Sequence, residues 1–143
     1  MPIALPHSFQ LPQFSLPFTL SYPPNGDAIA ADSDEWFKAI YGRLSETQLR
    51  NLYGLKAGIL TGYCYPYTDD ERLRIICDFM NILFHLDDLS DPLSLGDTKS
   101  FAAVIMNAFD SPLVYREHLP DGTVLPSTES AASKLCRKYV SIL

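Results

Sequence analysis

Asp87, Asp88 and Asp91 close the segment Leu83-Phe84-His85-Leu86-Asp87-Asp88-Leu89-Ser90-Asp91. Carboxylates are hard oxygen donors. A Mg²⁺ ion is typically held by one or two of them, with waters and substrate phosphates completing its shell. The apolar positions before them, Leu73, Ile76, Cys77, Met80, Leu83 and Phe84, recur at helical spacing. At about 100° per residue, Asp87 and Asp91 continue that stripe about 40° apart, and Asp88 falls about 100° from Asp87, on a flank. A core-facing stripe that turns acidic within one turn is costly. Carboxylates facing apolar surroundings must pair or bind metal, and acids in a last turn oppose the negative end of the helix dipole. Divalent cations relieve both penalties.

The elements that must position these acids read as helices. Thr68, with Glu71 three residues on, matches a capping box for a helix over 69–91, stopped by Pro92. Upstream, Asp32 and Glu35 match another capping box. Trp36, Phe37, Ile40, Tyr41 and Leu44 follow at helical spacing and are read as core. A second helical stretch runs over 46–63, where Gly54, Gly58 and Gly62 leave one face bare for close approach by another helix. Cys64-Tyr65-Pro66-Tyr67 is a break. A further helix is expected over 97–109, with Phe101, Val104, Ile105 and Ala108 as its stripe, then a loop over 110–126. A last helix should begin near Ser127, with Ala132, Leu135, Cys136, Tyr139, Val140 and Leu143 on one face. Six of the 11 prolines precede residue 25, so residues 1–31 read as an irregular arm and 32–143 as a helical unit. Phe9, Leu11, Phe14, Leu16 and Phe18 fit an arm packed on a surface or a loose tail equally well. No segment reads as a strand, and the fold class is all-α.

The chain has 143 residues, 47% hydrophobic and 20% charged, the composition of one globular domain. Eleven basic and 17 acidic residues give a net charge of −6. That balance argues against nucleic-acid binding and against docking on an anionic membrane, although metal cations can bridge an acidic protein to a polyanion. No apolar run is long enough to span a membrane. Cys64, Cys77 and Cys136 are odd in number and lack CxxC spacing. A disulfide framework or zinc site is therefore not expected, and a reducing cytoplasm is the default location. His7, His118 and Ser90 form no arguable triad. His85 is read as a helix-flank residue, and Arg72 and Arg74 as lying on solvated faces within reach of carboxylates. No catalytic acid, base or nucleophile is assigned.

A pocket floored by Met80, Leu83 and Phe84, with Asp87, Asp88 and Asp91 at its rim, suits a ligand with a long apolar tail and an anionic head. A prenyl diphosphate is such a molecule. The run from Leu73 through Asp91, with Leu73-Arg74, Cys77-Asp78, Met80-Asn81, Phe84 and Asp-Asp-x-x-Asp, resembles the metal-binding helix of class I terpene synthases, most closely the basidiomycete sesquiterpene cyclases. Supporting likeness extends to the Pro-rich start, Trp36, Tyr65-Pro66 and Ala131-Ala132-Ser133-Lys134-Leu135. The resemblance implies part of a class I terpenoid synthase helical bundle that ionises and cyclises a prenyl diphosphate, farnesyl diphosphate by class, with Mg²⁺ as cofactor. It implies Asp87 as principal metal ligand and Asp91 as its assistant. Asp88 would orient neighbours or pair with a basic residue, and Phe84 could face a carbocation through its ring quadrupole.

The same resemblance implies features that the residues after Asp91 do not match. These are a second metal motif of Asn, Ser and Glu on one helix face, a diphosphate-sensing Arg and a C-terminal Arg-Tyr pair. Asn107 lacks the Ser and Glu, and Arg137-Lys138-Tyr139 lacks the setting of that pair. The expectation is thus a truncated N-terminal portion, less than half the usual length, with little or no cyclisation by itself. Two alternatives stand beside it. One is a non-catalytic helical fragment that associates through exposed apolar faces. The other is an isoprenyl diphosphate synthase relative, which shares the aspartate chemistry.

Overall fold

Where these residues go is given by a computed structural model, which describes residues 10, 12–13, 15–113 and 130–143. Among the described residues there are six helices and no strand: α1 Gly26–Tyr41, α2 Glu46–Leu55, α3 Ala57–Cys64, α4 Asp70–Ser90, α5 Leu95–Asp110 and α6 Ala131–Val140. The all-α expectation holds. The readings of Pro2, Pro6, His7, Phe9, Leu11 and Phe14 lie outside the described residues, as do those of 114–129 with His118 and Ser127.

Local chemistry accounts for most helix ends. Ser45 caps α2 in a capping box with Gln48, and the side chains of Ser94 and Ser130 cap α5 and α6. The expected cap of α4 is displaced by one residue. Asp69, not Thr68, accepts from the Arg72 amide, and Arg72 Nη1 adds a 2.7 Å contact to the same carboxylate. The expected start at Asp32 is six residues late, so 26–31 belong to α1 rather than to the arm. The turn Pro23-Pro24-Asn25-Gly26, closed by Gly26 N–H donating to Pro23 O at 3.0 Å, already launches the helix. Asp32 sits exposed in mid-helix. Glu35 caps nothing; it pairs with Lys38 at 2.7 Å and accepts from the Tyr53 hydroxyl at 2.9 Å, bridging α1 to α2.

The expected helix over 46–63 is two helices. Lys56 adopts a left-handed conformation (φ 54°) between α2 and α3. Two of the three glycines do admit close neighbours. A Cβ on Gly58 would lie 2.5 Å from that of Ala30, and one on Gly62 would collide with the Tyr22 ring. Gly54 meets nothing within 4 Å. Tyr22 thus fills a slot between α1 and α3, and Ser21 and Asn25 hydrogen-bond to Tyr67 and Asp70. The end of the arm is fastened while Leu16, Phe18 and Leu20 before it stay exposed.

The helices pack as α1 on α3, α4 and α6, with α3 and α6 also against α4, and α5 against α6. The larger core joins Phe37, Leu52, Ile82, Ile105, Leu135 and Cys136, with Trp36 packed against it. A smaller one joins Ile29, Leu73 and Cys77. α6 buries Ala132, Leu135, Cys136 and Tyr139 as its pattern predicts, while Leu143 is exposed. The three cysteines are free thiols, Cys64 exposed and the other two buried. Burial pushes the Cys77 thiol up to about 11, so it stays protonated and behaves as core.

One correction bears on the site. The apolar stripe expected to face the core is buried at Leu73 and Cys77, but the buried face then turns away from it. The buried residues of α4 are Leu73, Cys77, Asp78, Asn81 and Ile82, while Leu83 is 45% exposed and Asp87, Asp88 and Asp91 are exposed. In this setting α4 turns a second apolar row, Ile75, Ile82, Leu86 and Leu89, onto the larger core and makes a polar seam with α1. Asn81 Nδ2 donates to Ser33 Oγ at 3.1 Å and to Asp34 Oδ1 at 3.0 Å, and Arg74 Nε donates to Asp78 Oδ1 at 2.8 Å. Paired polar groups can be buried, and a count of apolar spacing does not register them.

Candidate active-site helix

The acidic turn is regular helix to its end. Asp91 N–H donates to Asp87 O at 3.0 Å, Ser90 Oγ donates to the same carbonyl at 3.0 Å, and Leu93 N–H closes the following turn on Ser90 O. No basic residue stands in the last turn of α4. The aspartates therefore meet the negative helix end without local compensation. Because they are exposed, the burial penalty expected from the stripe does not arise; the dipole penalty does.

α4 distributes the expected site residues over two flanks. On the α5 side lies a groove of about 320 Å³ lined by Leu83, Asp87 and Ser90 of α4 and by Thr98, Phe101, Ile105 and Met106 of α5, among others. Its wall is almost wholly apolar with one carboxylate at the edge. On the other side, between α1, α2 and α4, lies a cavity of about 690 Å³ lined in part by Phe84, His85 and Asp88, facing Phe37, Leu52 and Arg50. Asp87 and Leu83 are thus brought together, as are Asp88 and Phe84, but not all four. Met80 is half-buried and lines neither space.

His85 packs edge-on against the rings of Phe37 and Tyr41, with centroids 5.2 and 4.8 Å away. Burial pulls its pKa below the ordinary imidazole value, only partly offset by the nearby Asp88 carboxylate. It is a flank residue, as its position on α4 predicts. Burial raises Asp78 above the ordinary carboxylate range, with hydrogen bonds from Ser33 and Arg74 pulling back; burial raises Asp34 against the bond from Asn81. The reading of Arg74 as a solvated residue within reach of a carboxylate resolves into this pair with Asp78, whereas Arg72 is a surface partner of Asp69.

The donors on α4 fit one kind of metal site and not another. Among the described residues, no three His, Cys, Asp or Glu side chains gather closely enough to cage an ion. Asp87 and Asp91, one turn apart, instead offer hard oxygens from a single wall, which suits an ion that keeps waters and substrate phosphates in its shell. Sequence reasoning missed the α5 side of the groove, Thr98 and Met106, because nothing in their spacing ties them to the acidic turn. It also passed over Asn81, whose signal was a lone amide within an apolar helical run.

No protein-family model matches the chain. Curated fungal proteins do, these three among them. Alpha-muurolene synthase of Coprinopsis cinerea is 46% identical over 113 residues, 78% of this chain and 27% of the relative. Sesquiterpene synthase Agr3 of Cyclocybe aegerita is 46% identical over 107 residues, 73% of this chain and 30% of the relative. Sesquiterpene synthase 3 of Postia placenta is 41% identical over 101 residues, 71% of this chain and 27% of the relative. The chain spans less than a third of the length of these relatives.

Proposed function

Since the chain belongs to the fungal sesquiterpene synthase family, we propose that the protein ionises and cyclises a prenyl diphosphate, farnesyl diphosphate by the class of its relatives, with Mg²⁺ held in part by Asp87 and Asp91. The observation that carries this reading is the exposed acidic turn at the edge of an apolar groove, with Asp87 beside Leu83, Phe101 and Met106. The groove receives hydrocarbon, and the carboxylates stand where an anionic head, bridged by cations, would lie. Bound Mg²⁺ would supply Lewis-acid stabilisation of the departing diphosphate. Asp87 and Asp91 orient it from one wall. Asp88, on the opposite flank with Arg50, orients rather than ligates. Phe84 presents its ring to the larger cavity.

Because the candidate metal donors among the described residues lie on one wall, the 143-residue chain should bind the ion weakly and release no cyclised hydrocarbon unaided. The test has two parts. Mn²⁺ titration followed by paramagnetic resonance should detect binding that Asp87→Asn removes; equal binding by the variant would refute the assignment of Asp87. Gas chromatography of the chain incubated with farnesyl diphosphate and Mg²⁺ should find no sesquiterpene, and a product would refute the one-wall reading. The relatives are synthases of sesquiterpenes, which supports a cyclase over an isoprenyl diphosphate synthase.

A second reading rests on exposed apolar residues. Leu83 is 45%, Met106 64% and Leu95 75% exposed, and surface of that kind marks interfaces. In it the chain is non-catalytic and associates through this face. Sedimentation as a clean monomer would count against association.

A further inference from the structure

We propose that Asn81 is a positioning residue: its hydrogen bonds to Ser33 and Asp34 set the rotation of α4 about its own axis and thereby turn Asp87 out of the core to the edge of the groove. The proposal deepens the metal-site reading, on which its second readout rests.

At about 100° per residue, the apolar stripe Leu73, Ile76, Cys77, Met80, Leu83 and Phe84 is centred near Asp87 and Asp91. A helix packed by that stripe alone would bury both acids. The face that α4 buries, Leu73, Cys77, Asp78, Asn81 and Ile82, is turned by roughly 100° from it. Asn81 lies near the middle of that buried face, and Asp87 lies roughly 120° round the axis from Asn81.

The bonds that hold this setting are specific. Both hydrogens of the Asn81 amide are used, one on Ser33 Oγ at 3.1 Å and one on Asp34 Oδ1 at 3.0 Å. Ser33 also stands near enough to Asp78 to hold its carboxyl down against burial, and Arg74 pairs Asp78 at 2.8 Å. Ser33, Asp78 and Asn81 are each no more than 1% exposed. The chain Asp34–Asn81–Ser33–Asp78–Arg74 therefore runs through the α1–α4 contact. Turning α4 back onto its apolar stripe would break it and strand buried polar groups. Ile75, Ile82, Leu86 and Leu89 pack on the larger core in the same setting, and the doubly donating amide adds a directional contact that apolar packing lacks.

The experiment reads rotation first and metal second. In a Cys64→Ser background, Leu83→Cys places a thiol on the face that opens to the groove. Adding Asn81→Leu removes both hydrogen bonds to α1, and labelling of residue 83 should slow at least threefold as it turns inward. Asp34→Leu should act in the same direction from the α1 side and covers the case in which Asn81→Leu fails to fold. Asp34→Asn keeps an acceptor for the amide and should restore the parent rate. Helical circular dichroism should be retained in the variants compared.

With Leu83 intact, Mn²⁺ affinity should fall roughly tenfold or more in Asn81→Leu and Asp34→Leu, the scale of losses when support behind a ligand is removed, and recover in Asp34→Asn. Labelling rates unchanged in folded Asn81→Leu and Asp34→Leu would overturn the proposal whatever the metal does. Slowed labelling with no Mn²⁺ binding in any protein, the parent included, would leave the rotation standing and instead refute the metal-site reading.

Discussion

Along its α1 flank, α4 buries Asp78 and Asn81 and gives them partners; along its α5 flank it leaves Leu83 45% exposed and Asp87 open beside an apolar groove. At Asp78, Asn81 and Leu83 polarity and burial are inverted relative to expectation, whereas Leu73 and Cys77 are buried as expected. The polar side fixes geometry, because each of its groups accepts only a few partners. The apolar side leaves surface available to another group, and its carboxylates are unburdened by burial. The comparison teaches that the rigid side of this helix is the polar one.

The largest test of the contrast compares one residue from each flank. Phe37 is 2% exposed, lies in the larger core and packs against His85 of α4. Phe37→Ala should destabilise the chain by about 3–5 kcal/mol, the usual cost of emptying an aromatic site in a core. Met106, 64% exposed on the groove, should change stability by no more than about 0.5 kcal/mol when replaced by Ala. Chemical denaturation of the two variants measures both. Comparable losses would mean that the groove is packed as firmly as the core, and would remove the distinction.

Next in size is the ion pair at the centre of the polar flank. Asp78 is 1% exposed and Arg74 32% exposed at the side chain, 2.8 Å apart. Arg74→Met leaves a buried carboxylate without its ion-pair partner. The loss should be about 2–3 kcal/mol, below the range for a fully buried pair because Arg74 is partly screened by solvent. Replacing both, Arg74→Met with Asp78→Leu, removes the stranded charge as well as its partner, so the double variant should be more stable than Arg74→Met alone. Strict additivity in that double-mutant cycle would show that the pair is not coupled.

How much of this could be read beforehand differs by level. Helix existence was legible, and Pro92 marked the end of α4 to within a residue because proline restricts its predecessor. Starts were less so. Asp32 and Glu35 have the composition of a capping box, yet the Pro23–Gly26 turn had already begun α1. The left-handed Lys56 carried no signal, since the residue types that favour that conformation stand at Gly54 and Gly58 instead. At the site, the acidic turn was visible as a motif. Its surroundings were not, because rotation of α4 is set by Ser33 and Asp34, nearly fifty residues earlier. Periodicity weighs residues within one helix and cannot see an acceptor on another.

A smaller effect should appear with pH at the point where the two flanks meet. Burial among Phe37 and Tyr41 lowers the pKa of His85 from the ordinary value of 6.5. Its neutral form is therefore favoured by folding. Its contribution is fully present above about 6.5 and is lost as pH falls toward the folded value, because the unfolded chain takes up the proton first. Asp34 and Asp78, raised by burial, act in the opposite sense at lower pH. The difference between parent and His85→Leu isolates the imidazole: the variant should lose less stability than the parent between about pH 7 and pH 5. Parallel curves in denaturant would mean that His85 is wet in solution.

The smallest change in stability belongs to the residue with the largest proposed role. Asp87 lies in the last turn of α4, exposed, with no basic neighbour in that turn and Asp91 one turn on. Its charge opposes both the helix dipole and the other acids. Asp87→Asn keeps the shape and removes that repulsion, so the variant should be more stable by a few tenths of a kcal/mol at low salt, fading as salt is added. The same substitution should abolish Mn²⁺ binding at the groove. Opposite signs in the two measurements are expected of a residue maintained for a ligand at the expense of its own helix. A variant that loses stability instead would mean that Asp87 serves the fold through a contact the exposed turn does not display, and the asymmetry between the flanks of α4 would then need another cause.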